Sequence, residues 1–187
     1  MSILHDILSH NQRFVETKQY EQYRTTKFPD KKMVILTCMD TRLVELLPKA
    51  MNLKNGDAKI IKCAGAIVSH PFGSIMRSIL VAVYELGASE VFVVGHHDCG
   101  MTGINPDAVL DKARKRGIAD SVLKTLHHSG IDFNRWLSGF EHASEGVLKS
   151  VDVIRNHPLL PPGIPVHGLL IHPVTGKLDV LVDGYAS

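Results

Sequence analysis

The sequence is short of cysteine, short of aromatic residues, and has no long apolar run. Three cysteines occur in 187 residues. An odd, small number argues against a disulfide framework and favours free thiols or metal ligands. No stretch approaches the roughly 20 apolar residues that span a bilayer, so no membrane partner is expected. Neither sign of charge dominates: 21 Lys and Arg stand against 19 Asp and Glu, a net charge of +2. That balance gives a nucleic acid or an anionic surface little to hold. The basic run from Lys112 to Arg116 reads as the solvated face of a helix. Residues 1–14 carry His5, Asp6, His10, Asn11 and Gln12 where a secretory signal needs an apolar segment. The expected location is therefore the cytoplasm. Repeats and low-complexity tracts are missing too.

The composition is that of a globular protein, with 44% hydrophobic and 21% charged residues. The length suits one domain over residues 1–187. Residues 1–28 read as an N-terminal helical arm, because Leu4, Ile7, Leu8, Phe14 and Val15 make an amphipathic helical pattern over residues 3–24. Short runs rich in branched residues read as buried strands at 33–38, 58–63 and 90–94, the last stopped by Gly95. A fourth strand is expected at 166–172. A hairpin turn at Val174–Lys177 leads into a fifth at 178–182. Helical patterns fall at 43–51, 73–86 (ended by Gly87), 106–116, 119–127 and 142–155. Pro158, Pro161, Pro162 and Pro165 make a stiff connector. Alternating strands and helices imply an α/β fold: a mainly parallel central sheet of about four strands, an antiparallel edge strand, and helices on both faces.

In such sheets, sites form beyond the carboxyl ends of the strands. Cys38 ends the first strand, and Gly95-His96-His97-Asp98-Cys99 follows the third. If those strands are neighbours, Cys38, His96 and Cys99 converge. Thiolate and imidazole donors suit zinc, and the three-residue step from His96 to Cys99 lets one turn present both. Three protein ligands and an open position make the catalytic arrangement; a fourth ligand, for which Cys63 is available, would make a structural one. Asp40 and Arg42 lie beside Cys38. Arg42 can hold Asp40 ionised through a bidentate pair aimed at the open position. The plainer alternative is a surface ion pair of little effect. His97 reads as a polar loop residue, His127 and His128 as helix-end residues, and Trp136 as packing a helix onto the core. Asp98 reads as a hydrogen-bonding carboxylate without a catalytic role.

Cys38-Met39-Asp40-Thr41-Arg42 resembles the C-x-D-S/T-R motif of the β-class carbonic anhydrases, and Gly95-His96-His97-Asp98-Cys99-Gly100 resembles their H-x-x-C motif. Residues 168–178 resemble that family's last strand pair. The likeness covers roughly residues 30–182, and the short length suits the compact branch of the family. It departs at Cys63, where the family often has Asn, and at Lys62, where it often has Arg. The resemblance implies zinc bound by Cys38, His96 and Cys99, and an Asp40–Arg42 catalytic dyad. The reaction it implies is reversible hydration of carbon dioxide to bicarbonate by a zinc-activated hydroxide. It also implies a homodimer, or a dimer of dimers. In some relatives the dyad carboxylate ligates zinc instead. Two alternatives stay open at this point: hydrolysis of carbon disulfide or carbonyl sulfide at the same site, and a non-catalytic zinc- or bicarbonate-binding protein.

Overall fold

The computed structural model describes residues 2–186. Five strands form one sheet: β1 (Met33–Cys38), β2 (Ala58–Cys63), β3 (Glu90–His96), β4 (Val166–Ile171) and β5 (Leu178–Val182). Their order across the sheet is β2-β1-β3-β4-β5. The first four are parallel and β5 runs antiparallel to β4. This is the expected mixed sheet.

Burial follows position in that order. β1 and β4 lie inside the sheet and are buried almost throughout, whereas β2 and β5 lie at its edges and have half-buried and exposed positions only. A strand covered on both faces needs a near-continuous apolar run, and Val34-Ile35-Leu36 in β1 supplies one. Helices α1 (Ile3–Glu16), α2 (Leu43–Ala50), α3 (Ser74–Tyr84), α4 (Pro106–Lys115), α5 (Asp120–His128), α6 (Phe133–Leu137) and α7 (Ala143–Arg155) complete the chain. One core lies where Val34, Leu36, Val91 and Val93 meet Met76 and Ile79 of α3 and Val147, Val151 and Ile154 of α7. A second lies where Ile35, Val94, Leu169 and Ile171 meet Leu43 and Leu47 of α2. Helices therefore cover both faces.

Several boundaries differ from the sequence reading for identifiable reasons. The arm helix stops at Glu16, and a 3-10 turn follows at Gln19–Tyr23. Lys18 between them is left-handed, with φ of 55°, which interrupts the helix. Strand β3 does not stop at Gly95 but runs through it to His96. Gly95 is there for close packing: a Cβ would lie 2.6 Å from Val147 Cγ2 of α7. The short helix α6 was not anticipated. Trp136 on α6 does not pack into the core; it is 64% exposed. Lys112, Lys115 and Arg116 are solvent-facing as expected, and His127 and His128 end α5.

Helix α1 buries no residue. Its apolar side chains Ile3, Leu4, Ile7 and Leu8 are all more than half exposed, from 57% to 80%. Its own support is the following turn, where Phe14 stacks on Tyr23. Asn55 then ties that turn to the body by donating to the Tyr23 carbonyl at 2.6 Å. Among the described residues, no helix is long and apolar enough to cross a membrane.

Candidate metal centre

From β1 the chain goes to β2 on one side, then returns to β3 on the other. The crevice at the carboxyl ends of β1 and β3 is thus the point where the winding reverses, the usual place for a site in such sheets. The register sets Thr37 opposite Val94, so Cys38 emerges beside Gly95 and His96. Thr37 Oγ1 donates to the Val94 carbonyl at 2.9 Å and clamps the two strands just below the crevice. Past β3, Asp98 takes a left-handed conformation, φ 54°. That turn returns the chain so that Cys99 stands with His96.

Cys38 Sγ, Cys99 Sγ and a ring nitrogen of His96 all lie within 4.8 Å of one another, and all three residues are buried. The two sulfurs are 3.9 Å apart. No other trio of His, Cys, Asp or Glu among the described residues is so placed. His96 Nδ1 donates to the His97 carbonyl at 2.8 Å. Because a carbonyl only accepts, this contact places the proton on Nδ1 and leaves the Nε2 lone pair free. Nε2 is buried and has no hydrogen-bond partner. An orphaned buried acceptor between two thiols is costly unless something fills the gap. Two sulfurs and one imidazole nitrogen are the donor set that zinc takes, so the residues fit that ion.

The electrostatics favour a cation too. Burial pushes the Cys38 thiol up, but contact with His96 and with the Asp40 and Gly65 backbone N–H groups outweighs it and brings the thiol down to about 7. The Gly65 N–H lies 3.4 Å from Cys38 Sγ. Burial and the neighbouring Cys38 charge push Cys99 up to about 11. His96 is raised: burial opposes the imidazolium, and the Cys38 sulfur more than offsets that. One thiol thus ionises before the other in the metal-free protein, and a bound dication would ionise both.

Asp40 stands at the rim. Its Oδ2 is 3.8 Å from His96 Nε2. Arg42 donates from Nε to Asp40 Oδ1 at 3.0 Å and from Nη2 to Oδ2 at 2.9 Å, and the Arg42 main-chain N–H adds a contact to Oδ1 at 2.9 Å. This fork holds the Asp40 carboxyl down at about 2. Cys63 is opposite Cys38 in the register, yet it stands outside the donor trio. Its thiol contacts the Ile67 carbonyl at 3.6 Å, and burial pushes it up to about 11. Asp98 is not a loose polar neighbour: its carboxylate and its carbonyl both accept from Arg42, each at 2.8 Å. That contact spans 56 positions, and no local pattern announces it.

A mostly parallel α/β sheet here carries, at its reversal point, a Cys-His-Cys group able to hold a metal ion. Residues 33–178 match the sequence model of the carbonic anhydrase family. The chain belongs to that family, in its β class, and is an enzyme of it. It is 65% identical over 187 residues to YvdA of Bacillus subtilis, covering 100% of this chain and 95% of that one; YvdA is provisionally named as a carbonic anhydrase. The crystal structure of β-carbonic anhydrase isoform I from Trichomonas vaginalis superposes with a TM-score of 0.90 at 38% identity, covering 99% of this chain and 100% of that one. A carbon disulfide hydrolase of Saccharolobus solfataricus is 28% identical over 179 residues, covering 87% of this chain and 85% of that one. β-Carbonic anhydrases use zinc, and this chain carries a trio able to bind it.

Proposed function

We propose that this enzyme catalyses the reversible hydration of carbon dioxide to bicarbonate and a proton. Cys38, His96 and Cys99 hold the zinc ion, with Asp40 and Arg42 as the catalytic dyad. One observation carries the reading: the buried donor trio is left with one side facing an ionised carboxylate, Asp40, 3.8 Å from His96 Nε2. When bound, zinc supplies the Lewis acidity that makes a hydroxide nucleophile accessible near neutral pH. The chain supplies the rest. The His97 carbonyl fixes the His96 tautomer. Asp40 accepts a hydrogen bond from the attacking oxygen and turns its lone pair toward the carbon of carbon dioxide. Arg42 occupies both Asp40 oxygens and keeps the carboxylate beside the metal position, not on it. A Cys63 thiol engaged with Ile67 supports three protein ligands and an open position, the arrangement of catalytic zinc.

Carbon dioxide hydration by the zinc-loaded protein, measured beside D40A, tests this reading. The unaltered enzyme is expected to be active, and D40A to lose 10²-fold or more, on the order of a missing general acid–base group. Full activity in D40A removes Asp40 from the mechanism. The distant likeness to a carbon disulfide hydrolase motivates a parallel assay with carbon disulfide. Turnover of that gas but not of carbon dioxide would transfer the same site to the sulfur substrate.

The proposed assembly is a homodimer, and the N-terminal arm expected over residues 1–28 supports it. An amphipathic helix with Ile3, Leu4, Ile7, Leu8 and Val15 all exposed needs a partner, and a second copy of this chain supplies one. The working form is a homodimer. Three free thiols suit the reducing cytoplasm.

A further inference from the structure

Arg42 is gripped on two edges, and only one of the grips belongs to the dyad. Nε and Nη2 reach the two oxygens of Asp40. The other edge meets the turn after β3: Nη1 donates to Asp98 Oδ2 at 2.8 Å, and Nη2 donates to the Asp98 carbonyl at 2.8 Å. We propose that Asp98 is a positioning residue that holds the Arg42 guanidinium so that Arg42, in turn, holds Asp40 beside the metal position. The inference rests on the reading of Asp40 given above.

Three observations carry it. The Asp98 side chain is 85% exposed. An ion pair so exposed contributes little to folding stability, so its effect falls on where the guanidinium sits. Next, Asp98 has φ of 54°, a conformation that Asp, Asn and Gly adopt most readily. That turn lets one residue offer Arg42 both a carboxylate and a carbonyl. Finally, Asp98 lies between the donors His96 and Cys99, while Arg42 follows the donor Cys38. Their contact ties the loop after β1 to the loop after β3 across 56 positions. Without the Asp98 carboxylate, Nη1 loses its acceptor and this edge of the guanidinium is held by the Asp98 carbonyl alone. Asp40 Oδ2 is already 3.8 Å from His96 Nε2, so a modest turn of the loosened pair carries that oxygen into the metal position.

Two variants separate this role from a structural one. D98G keeps the left-handed backbone and removes the side-chain acceptor. D98N keeps both the backbone and an acceptor oxygen. In the zinc-loaded protein, D98G is expected to lose about tenfold in kcat/KM, carried by kcat, as for a missing charge-assisted hydrogen bond. D98N recovers most of that loss, and neither variant changes Tm appreciably. The second readout is the visible spectrum of the cobalt(II)-substituted protein, with R42A as the reference for a released Asp40. The D98G spectrum is expected to move toward that of R42A, and the D98N spectrum to stay near the unaltered one. Unaltered kcat/KM and cobalt spectrum in D98G would overturn the proposal. So would a lowered Tm in D98G with no recovery in D98N. If D98G does not fold, a crystal structure of the zinc-loaded unaltered chain decides: Arg42 on Asp98 supports the proposal, and Arg42 turned away overturns it. The cobalt spectrum reads the position of Asp40 whichever gas is turned over. A failed carbon dioxide assay therefore counts against the proposed reaction and leaves the positioning role to the spectrum.

Discussion

Asp40 Oδ2 and His96 Nε2 face each other at 3.8 Å across the mouth of the donor trio. Arg42 occupies the carboxylate, while the imidazole nitrogen is buried without a partner. A cation placed against Nε2 would feel the carboxylate directly. The distance thus joins the donor trio and the Asp40–Arg42 pair into one unit.

The Arg42 fork makes the metal-free protein acid-sensitive in a defined window. Asp40 is held at about 2 when folded, against about 3.9 in an unfolded chain. Its folded pKa is depressed, so the unfolded chain binds more protons as pH drops through that interval. The stabilisation is fully present above pH about 4 and is lost as pH falls toward 2. Urea unfolding of the metal-free protein and D40N between pH 6 and pH 2.5 checks this. The stability difference between them is expected to hold near pH 6 and to shrink below pH 4. A difference independent of pH would contradict the assigned ion pair.

Ser150 supports the site from a distance. On α7, its buried hydroxyl donates to the Ala66 carbonyl and accepts from Val68 N–H, both at 3.1 Å. The clamped loop carries the Gly65 N–H that meets Cys38 Sγ. Replacing Ser150 with Ala leaves a buried donor and a buried acceptor unpaired. The expected cost is about 1–3 kcal/mol, read by urea unfolding at neutral pH. A change within a few tenths of a kcal/mol would mean that the loop holds itself.

Helix α1 gives a prediction about assembly. Ile7 is 58% exposed on a helix that buries nothing. The full chain is expected to sediment as a dimer at micromolar concentration. A chain lacking residues 2–16, or carrying L4E and I7E together, is expected to sediment as a monomer. A full-length monomer would refute the proposed role of the arm.

Local signals made much of the fold legible in the sequence. The strands at 33–38, 58–63 and 178–182 emerge with the bounds that their apolar runs and flanking turns indicate. Two of the differences turn on tertiary packing. Gly95 reads as a stop by its conformational freedom, yet its lack of a side chain serves contact with Val147. Trp136 reads as core by its size, yet it sits on a five-residue helix outside both cores. The Gly95 outcome depends on a neighbour distant in sequence, and the Trp136 outcome on a helix that lies away from both cores. The site behaves the same way. The donor trio was legible because residue chemistry and strand ends coincide at Cys38, His96 and Cys99. The Asp98–Arg42 and Ser150–Ala66 contacts were not, because each joins segments that only the folded chain brings together.

Zinc K-edge X-ray absorption on the zinc-loaded protein reads the proposed ligand set itself. One zinc per chain is expected, with two sulfur ligands at about 2.3 Å and one imidazole nitrogen at about 2.0–2.1 Å. The fourth position is a light atom, and the C63S variant gives the same pattern. Three sulfur ligands that fall to two in C63S, or a protein that binds no zinc, would contradict it.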